Sequence, residues 1–500
     1  MTQNDMSYLI GIDLGTSGVK VVVVEAETLK ALAIASEEYP IHHPQSGYAE
    51  QNPDDWWDAT VKAIHQVTEN ISVDNIAGIS FSGQMHGIVC LDSHLQPIHP
   101  AIIWADSRST KQVEALKNLQ SSLNATLSGL PATGYAASSF LWLHQNEPEL
   151  LQKMDKWCLP KDYIRSKMTG TIQTEASDAA STWLYDVVKN EWSQEVFSFC
   201  GLTPEQMPHI LSSTAISGHL TEKAAQILRL KPGIPIITGS ADLPAQAIGQ
   251  GIFTPDTMLI TVGTGGQIFI PTLEPIPDPH HRYYLLNHNL PDSWYLQSAI
   301  LSGGLSLRWL RDLLNLPENA YGELSTLAET VPAGAAGLLF LPYLAGERSP
   351  IMDSQASGVM FGLRLHHGQA HFARAIMEGV AFALKDCYLS MGQNPEKIVL
   401  SGGITKSSIW IQILSDILEK PLYIRKDDAP HGAIGAAILA GIGIDLFSAE
   451  EAIALLPQAD IVITPQPQSI YRERFEQYRR LYPLLKDEMH LLSQTRYSDE

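Results

Sequence analysis

The sequence predicts an α/β protein built from two duplicated domains that face each other across a cleft. At 500 residues the chain is longer than a single hydrophobic core usually serves. A strand, glycine-rich turn and strand pattern occurs at residues 9–24 and again at residues 258–272. A pattern that returns after about 250 residues indicates duplication, with the two copies joined near residues 250–255.

The composition excludes several classes of protein. Hydrophobic residues make up 45% of the chain and charged residues 17%, which is typical of a folded globular protein. The formal charge of −21 argues against nucleic acid and against an anionic membrane surface as partners. No window reaches the roughly 18 apolar residues of a membrane span. Four widely spaced cysteines suggest neither a zinc site nor a disulfide framework, so we expect a soluble, cytoplasmic protein.

The first half is expected to open with an antiparallel meander. Residues 8–41 contain three β segments, and the first turn is the Gly-Thr-Ser-Gly of residues 15–18. Asn52 as N-cap and Pro53 as the first helical residue predict a helix after the meander. The apolar segment at residues 76–83 predicts a further strand.

The second half repeats this order. Segments at residues 283–290 and 294–300 complete a second meander, and a strand at residues 397–401 precedes a helix over residues 407–420. The glycine- and proline-rich stretch at residues 340–363 is expected to be mostly loop, and the charged amphipathic tail a helix packed on a domain surface.

The first turn carries chemistry suited to phosphate and metal. Asp13 ends an apolar strand, the turn offers backbone N–H groups and the hydroxyls of Thr16 and Ser17, and Lys20 follows on the outgoing strand. A carboxylate suits Mg²⁺ held through water, and turn amides can form an anion-binding nest. An ordinary hairpin turn with Asp13 bonded to its backbone explains the same residues.

A second turn of the same kind favours the phosphate site over an ordinary hairpin turn. Gly263, Thr264 and Gly265 repeat the turn without the aspartate, as expected of a clamp that grips phosphates from two sides. The pair of turns resembles the actin-like ATPase superfold, in which two domains hold a nucleotide between them. Chaperone ATPases and filament proteins are alternatives within that superfold.

Further motifs narrow the resemblance. SGQMHG at residues 82–87, WADSR at residues 104–108 and the segment at residues 159–187 resemble the FGGY carbohydrate kinases, and the xylulokinases within that family. FLPYLAGERSPIMD, SGGITKSSIWIQILSD and RFEQYRRLYPLLKD follow in the family's order, so the likeness covers nearly the whole chain.

The resemblance implies two ribonuclease H-like domains of the actin/hexokinase superfold with an interdomain cleft. Residues 1–250 would hold the sugar site and the first phosphate loop, residues 251–445 the nucleotide site, and residues 446–500 a helical extension. The implied activity is phosphorylation of D-xylulose to D-xylulose 5-phosphate by ATP and Mg²⁺. The implied partners are the sugar and ATP. A homodimer is a possible assembly of the chain.

The resemblance also implies roles for single residues. Asp242 matches the catalytic base, although an aspartate at the start of a helix is commonly an N-cap. The sugar-binding set is Gln84, Met85, His86, Trp104, Asp106 and Arg108. A satisfied core histidine, and a buried tryptophan with an Asp–Arg pair, are the structural alternatives for this set.

The nucleotide set adds residues beyond the two turns. Gly402 and Gly403 would let the backbone approach ATP closely. Ser407, which follows them, belongs to the same ATP-binding set. Ile404 stands where the family frequently has a third glycine, so the sequence departs from the family pattern in this loop.

Rival functions remain open on sequence grounds. A kinase for ribulose or gluconate is one, because WADSR occurs beyond xylulokinases. A catalytically inactive sugar sensor, or an actin-like ATPase with a protein partner, is another. The presence of both Asp13 and Asp242 argues against an inactive relative.

Overall fold

The computed structural model describes residues 6–425 and 429–495. None of the helices in these ranges combines the length and apolar content needed to cross a membrane.

The first half of the chain alternates strands with helices over residues 8–249. Its strands are β1 Tyr8–Leu14, β2 Gly18–Glu25, β3 Ala31–Glu38, β4 Glu50–Gln51, β5 Ile76–Gly83, β6 Val89–Leu91, β7 Ala101–Ile102, β8 Lys156–Cys158, β9 Gln173–Glu175, β10 Tyr185–Asp186, β11 Glu191–Trp192, β12 His209–Leu211, β13 Ile216–His219, β14 Pro235–Ile237 and β15 Ser240–Ala241. Its helices are α1 Pro53–Thr68, α2 Thr110–Gln120, α3 Ala136–Asn146, α4 Pro148–Lys153, α5 Pro160–Thr169, α6 Ala176–Ala179, α7 Gln194–Phe199, α8 Glu222–Leu228 and α9 Asp242–Gly249.

The second half begins after the short segment that follows α9. Its strands are β16 Thr257–Val262, β17 Gly266–Thr272, β18 Tyr284–Asn287, β19 Trp294–Ile300, β20 Leu339–Leu341, β21 Val359–Phe361, β22 Lys397–Ser401, β23 Leu422–Ile424 and β24 Ile461–Ile463. Its helices are α10 Gly304–Leu313, α11 Tyr321–Glu329, α12 Gln369–Ser390, α13 Ser408–Leu418, α14 His431–Gly443, α15 Ala449–Leu455 and α16 Ser469–Thr495.

Each half is built on one mixed sheet, and the two sheets share a strand order. The first sheet runs β3-β2-β1-β5-β14-β13. The second, given in the corresponding direction, runs β18-β19-β17-β16-β22-β23-β24. In both, a central strand pairs antiparallel with its successor and parallel with a later strand, as β1 does with β2 and β5 and β16 with β17 and β22. The predicted duplication is confirmed, and β18 is an additional edge strand of the second sheet.

The local sequence signals explain the predicted elements. Asn52 accepts a hydrogen bond from the Asp54 amide at 3.3 Å and caps α1, with Pro53 as its first residue. The tail forms α16, whose Phe475 and Tyr478 are buried and pack against Phe382 of α12. The predicted domain boundaries at residues 250 and 445 stay predictions.

Two helices cross between the sheets at very short range. A Cβ on Gly435 of α14 would lie 1.9 Å from the carbonyl oxygen of Ala245 in α9, and one on Gly249 would lie 2.1 Å from that of His431. A Cβ on Gly11 of β1 would lie 1.8 Å from the Ala433 carbonyl oxygen. Glycine is therefore required at this crossing, which brings the first residues of α14 beside the end of β1.

Candidate active site

A cavity of about 400 Å³ lies between the two halves and is lined by residues from both. The first half contributes Asp13, Thr16, Met85, His86, Trp104, Ser128, Tyr135, Ser181, Asp242, Leu243 and Gln246. The second contributes Gln267, Tyr284, Leu286, Gln297, Ala299, Arg348 and Gly432. Five residues of the predicted sugar and catalytic sets, together with Thr16, therefore converge on one space.

Asp13 lies at the end of β1, against the start of α14. The Ser82 hydroxyl donates to its Oδ1 at 2.7 Å, and a Cβ on Gly432 would lie 2.6 Å from its Oδ2. Burial raises the pKa of the Asp13 carboxyl, while the Ser82 hydrogen bond and the Lys20 charge act in the opposite direction.

The surroundings of Asp13 fit a hydrated Mg²⁺ better than a direct metal cage. The described residues hold no group of three or more histidine, cysteine, aspartate or glutamate side chains placed to bind a metal ion. Mg²⁺ keeps several of its waters and is commonly bound by one or two carboxylates together with substrate phosphates. A single carboxylate beside the predicted phosphate turn is consistent with that mode of binding.

Asp242 is the first residue of α9, so the N-cap position falls on Ala241. The N-cap alternative for this aspartate is therefore wrong. Burial, and next the charge of Asp13, raise the pKa of the Asp242 carboxyl to about 7, although hydrogen bonds from backbone amides lower it. A carboxyl that titrates near neutral pH suits a general base.

His86 is held in one orientation on the cavity wall. Its backbone is left-handed, with φ of 73°. Its Nδ1 lies 2.7 Å from the Ser181 carbonyl oxygen, and its ring stacks on Tyr135 with centroids 4.1 Å apart. Burial lowers the pKa of His86 to about 4, so the ring is neutral. A carbonyl oxygen only accepts, so Nδ1 carries the proton and Nε2 is an acceptor.

Trp104 connects the predicted sugar loop to the predicted phosphate turn at residues 15–18. Its side chain is 47% exposed, and its indole Nε1 donates to the Thr16 hydroxyl at 2.8 Å. Gln84 lies behind this contact rather than on the cavity. Its Nε2 donates to Gln51 Oε1 at 3.0 Å, and Gln51 in turn donates to the Thr16 carbonyl oxygen at 2.7 Å.

Asp106 and Arg108 form an ion pair with buried side chains, outside the lining of the cavity. The Arg108 guanidinium lies 2.8 Å from Asp106 and 2.6 Å from Glu50, and it stacks on the Tyr48 ring at 3.6 Å. The alternative of a structural ion pair fits these two residues, because both charged side chains are already paired with groups of the protein. The pair fixes the loop that carries Trp104.

The second glycine turn is held by the start of α10. Amides of Gly304 and Leu305 donate to the carbonyl oxygens of Gly263 and Thr264 at 2.8 and 2.9 Å. Those bonds leave the Thr264 side chain exposed beside Arg308, whose Nη2 lies 3.5 Å from the Thr264 hydroxyl.

The loop at residues 402–407 has a definite local geometry. Gly402 has a φ of 89°, and a Cβ there would lie 2.5 Å from the Val262 carbonyl oxygen. Gly403 is exposed, whereas Ile404 is buried and packs in the core of the second half. Ser407 caps α13 by accepting from the Trp410 amide at 3.4 Å, and its hydroxyl bonds to Ser325. Nucleotide contacts by Gly402, Gly403 and Ser407 stay predictions.

Arg348 is a cavity residue that the sequence analysis did not single out. It follows Glu347, whose Oε1 accepts from the amides of Leu301 and Arg348 at 2.8 Å each. The guanidinium makes no hydrogen bond or ion pair with a described residue. The Gly-Glu-Arg sequence in the loop over residues 340–363 was the available signal.

Comparisons with known proteins agree with this geometry. Residues 8–249 match the model of the N-terminal domain of the FGGY family of carbohydrate kinases, and residues 258–444 match that of its C-terminal domain. The chain is 35% identical to a xylulose kinase of Bacillus subtilis, over 96% of this chain and 98% of that protein.

Solved structures share the fold across the whole chain. A ligand-bound xylulose kinase from Lactobacillus acidophilus superposes with a TM-score of 0.90 at 29% identity, covering 97% of this chain and all of that one. A gluconate kinase from the same organism also superposes with a TM-score of 0.90 at 29% identity, covering 96% of this chain and 98% of that one. The chain belongs to the FGGY family of carbohydrate kinases.

Proposed function

We propose that this carbohydrate kinase transfers the γ-phosphate of ATP to D-xylulose and forms D-xylulose 5-phosphate. The observation that carries the proposal is Asp242, whose carboxyl has a pKa of about 7 and lines a cavity shared by both halves. Neutral His86 lines the same cavity and offers Nε2 to a sugar hydroxyl. A base and a hydroxyl-binding group at one cavity are what phosphorylation of a sugar requires.

The mechanism is an in-line phosphoryl transfer in which the protein mainly positions groups. Asp242 accepts the proton of the attacking hydroxyl, which by analogy with the family is O5 of D-xylulose. Asp13 would hold hydrated Mg²⁺, which would offset the negative charge of the phosphates. Thr16, Ser17 and Lys20 contact phosphate from the first turn.

The second half supplies the other side of the nucleotide site in this proposal. Gly263, Thr264 and Gly265 contact phosphates, while Gly402 and Gly403 face the nucleoside. A side chain at Gly402 would collide with Val262, so the backbone at the exposed Gly402 and Gly403 is bare, which supports a close approach of the nucleoside. Closure of the two halves would exclude water from the transferred phosphoryl group.

The choice of sugar rests on the relatives and on the cavity. Curated relatives named as xylulose kinases are 32–35% identical to this chain, whereas a gluconokinase of Bacillus licheniformis is 28% identical. The hydroxyls of Tyr135, Ser128 and Tyr284 suit an uncharged sugar. D-Gluconate remains the second candidate because the Arg348 guanidinium faces the cavity and would pair with a carboxylate.

The proposal places the enzyme in the cytoplasm. Four free, buried cysteines are compatible with a reducing cytoplasm. Assembly as a homodimer stays a prediction.

A coupled ADP-release assay over D-xylulose, D-ribulose, D-gluconate and glycerol tests the function. We expect kcat/KM for D-xylulose to exceed each of the others by about tenfold or more. Higher kcat/KM for D-gluconate would overturn the choice of sugar. ADP release that is independent of any sugar would overturn the kinase assignment. Asp242→Asn serves as the control for contaminating kinases.

A further inference from the structure

A cluster of five charged side chains is buried behind the cavity. Lys161 Nζ lies 2.9 Å from Asp162 Oδ1, 2.9 Å from Asp178 Oδ2 and 3.3 Å from Glu175 Oε1. Arg165 Nη1 lies 2.8 Å from the same oxygen of Asp162. Each of the five is at most 1% exposed. We refer to these residues as the buried charge cluster.

Stability alone is a poor explanation for the buried charge cluster. Removing ions from water is so unfavourable that well-packed apolar residues often stabilise a fold better than a buried ion pair. Three carboxylates also face only two cations here. Buried ionic groups can instead define one geometry among several alternatives. The connections of the cluster indicate which geometry that is.

The first connection leads to the proposed sugar-binding histidine. Glu175 caps the short helix α6, accepting from the amides of Ser177 at 2.6 Å and Asp178 at 3.1 Å. The Ser181 hydroxyl donates to the Asp178 carbonyl oxygen at 2.7 Å. The Ser181 carbonyl oxygen then accepts from Nδ1 of His86 at 2.7 Å. The orientation of the His86 ring thus depends on the turn that α6 begins.

The second connection leads from the same helix to the proposed base. The Ser177 hydroxyl accepts from the Ala241 amide at 3.1 Å, and Ala241 immediately precedes Asp242. Lys161 also lies against the strand that leads to His86, since a Cβ on Gly83 would be 2.8 Å from the Lys161 Cβ.

We propose that the buried charge cluster holds α6 in place so that His86 and Asp242 keep a fixed spacing across the sugar. Ser177 is the positioning residue for Asp242, and Ser181 is the positioning residue for His86. Neither serine hydroxyl needs to touch substrate, since both hydroxyls are buried in bonds to the backbone. The proposal rests on the proposed roles of His86 and Asp242.

The two serines allow the connections to be tested separately. In Ser177→Ala the Ala241 amide loses its acceptor, so we expect kcat to fall about tenfold while both KM values stay within about twofold. In Ser181→Ala the turn beneath His86 is loosened, so we expect the KM for D-xylulose to rise about fivefold, with kcat and the KM for ATP within about twofold. Asp178→Asn, which alters the cluster itself, should change both kcat and the KM for D-xylulose.

Ser217→Ala is the matched control. Its hydroxyl is also buried and donates to a backbone carbonyl, that of Ile236 at 2.9 Å, but it lies outside the cavity. This variant should lower the melting temperature and leave the kinetics unchanged.

The outcomes separate two kinds of failure. If both Ser177→Ala and Ser181→Ala only melt earlier, as Ser217→Ala does, and keep parental kcat and KM, the cluster serves stability and the inference is wrong. This conclusion holds even where Asp178→Asn does not fold. If Asp242→Asn and His86→Ala themselves leave the kinetics unchanged, the proposed roles of those residues fail instead.

Discussion

The ionisation of Asp242 should control the pH dependence of the reaction. Its pKa of about 7 results from burial and, next, from the charge of Asp13. A general base acts only when it is ionised, so kcat/KM for D-xylulose should rise with pH and level off above about pH 8. About 9% of the carboxyls are ionised at pH 6 and about 91% at pH 8, which predicts an increase of about tenfold.

The assay follows ADP release between pH 5.5 and 8.5 with Mg²⁺ and ATP held below their KM values, so that the profile reports the ligand-free protein. The melting temperature is recorded at each pH. In Asp13→Asn the nearby negative charge is lost, so the midpoint of the remaining activity should move to lower pH. The residual activity of Asp242→Asn should lack this transition. A profile that is flat from pH 6 to pH 8 in the folded parent enzyme would refute the reasoning, because an aspartate with its ordinary pKa is fully ionised throughout that range.

Four further predictions concern single residues. His86→Ala should raise the KM for D-xylulose about ten- to a hundredfold with little change in the KM for ATP, since a sugar hydroxyl loses its partner; initial rates with each substrate varied check this. Asp13→Ala should raise the Mg²⁺ concentration that gives half-maximal rate while D-xylulose binding persists, which separate titrations would reveal. Asp242→Asn should melt at or above the parent at pH 8, with the gain shrinking by pH 5, because burial disfavours the ionised carboxyl. Gly435→Ala should lower the melting temperature strongly, since its Cβ would lie 1.9 Å from the Ala245 carbonyl oxygen, whereas Gly368→Ala, with open space at its Cβ, should not.

The sequence predicts the fold well because its signals are local and repeated. The two glycine turns, the cap of α1 and the apolar strands each require only neighbouring residues, and their recurrence reveals the duplication. The predicted second meander is wrong in its order, because β19 rather than β18 pairs with β17. Which of two successive apolar segments lies beside β17 depends on packing with the rest of the sheet.

The site was predicted in part. Asp13, His86, Trp104 and Asp242 line one cavity, as the motifs indicate. The buried pair formed by Asp106 and Arg108 could not be distinguished from a ligand-facing pair, because the spacing of the residues is the same in both cases. Their burial depends on the distant residues Glu50 and Tyr48.

Residues brought to the cavity by long-range packing had no local signal. Arg348, Tyr135 and Tyr284 come from a loop, a helix boundary and an edge strand that are far apart in the chain. The buried charge cluster also had no local signal, because in the sequence its members are indistinguishable from ordinary helix and turn residues. Only the fold brings them together.

The most direct test of the account measures Asp242→Asn with D-xylulose and ATP. The amide keeps the shape of the side chain and cannot accept a proton, so kcat should fall by about 10² to 10⁴. D-Xylulose affinity, measured by calorimetry on the same folded protein, should stay within about threefold of the parent. A folded variant that retains more than about half of the parent kcat would contradict the assignment of Asp242 as the base that activates the sugar.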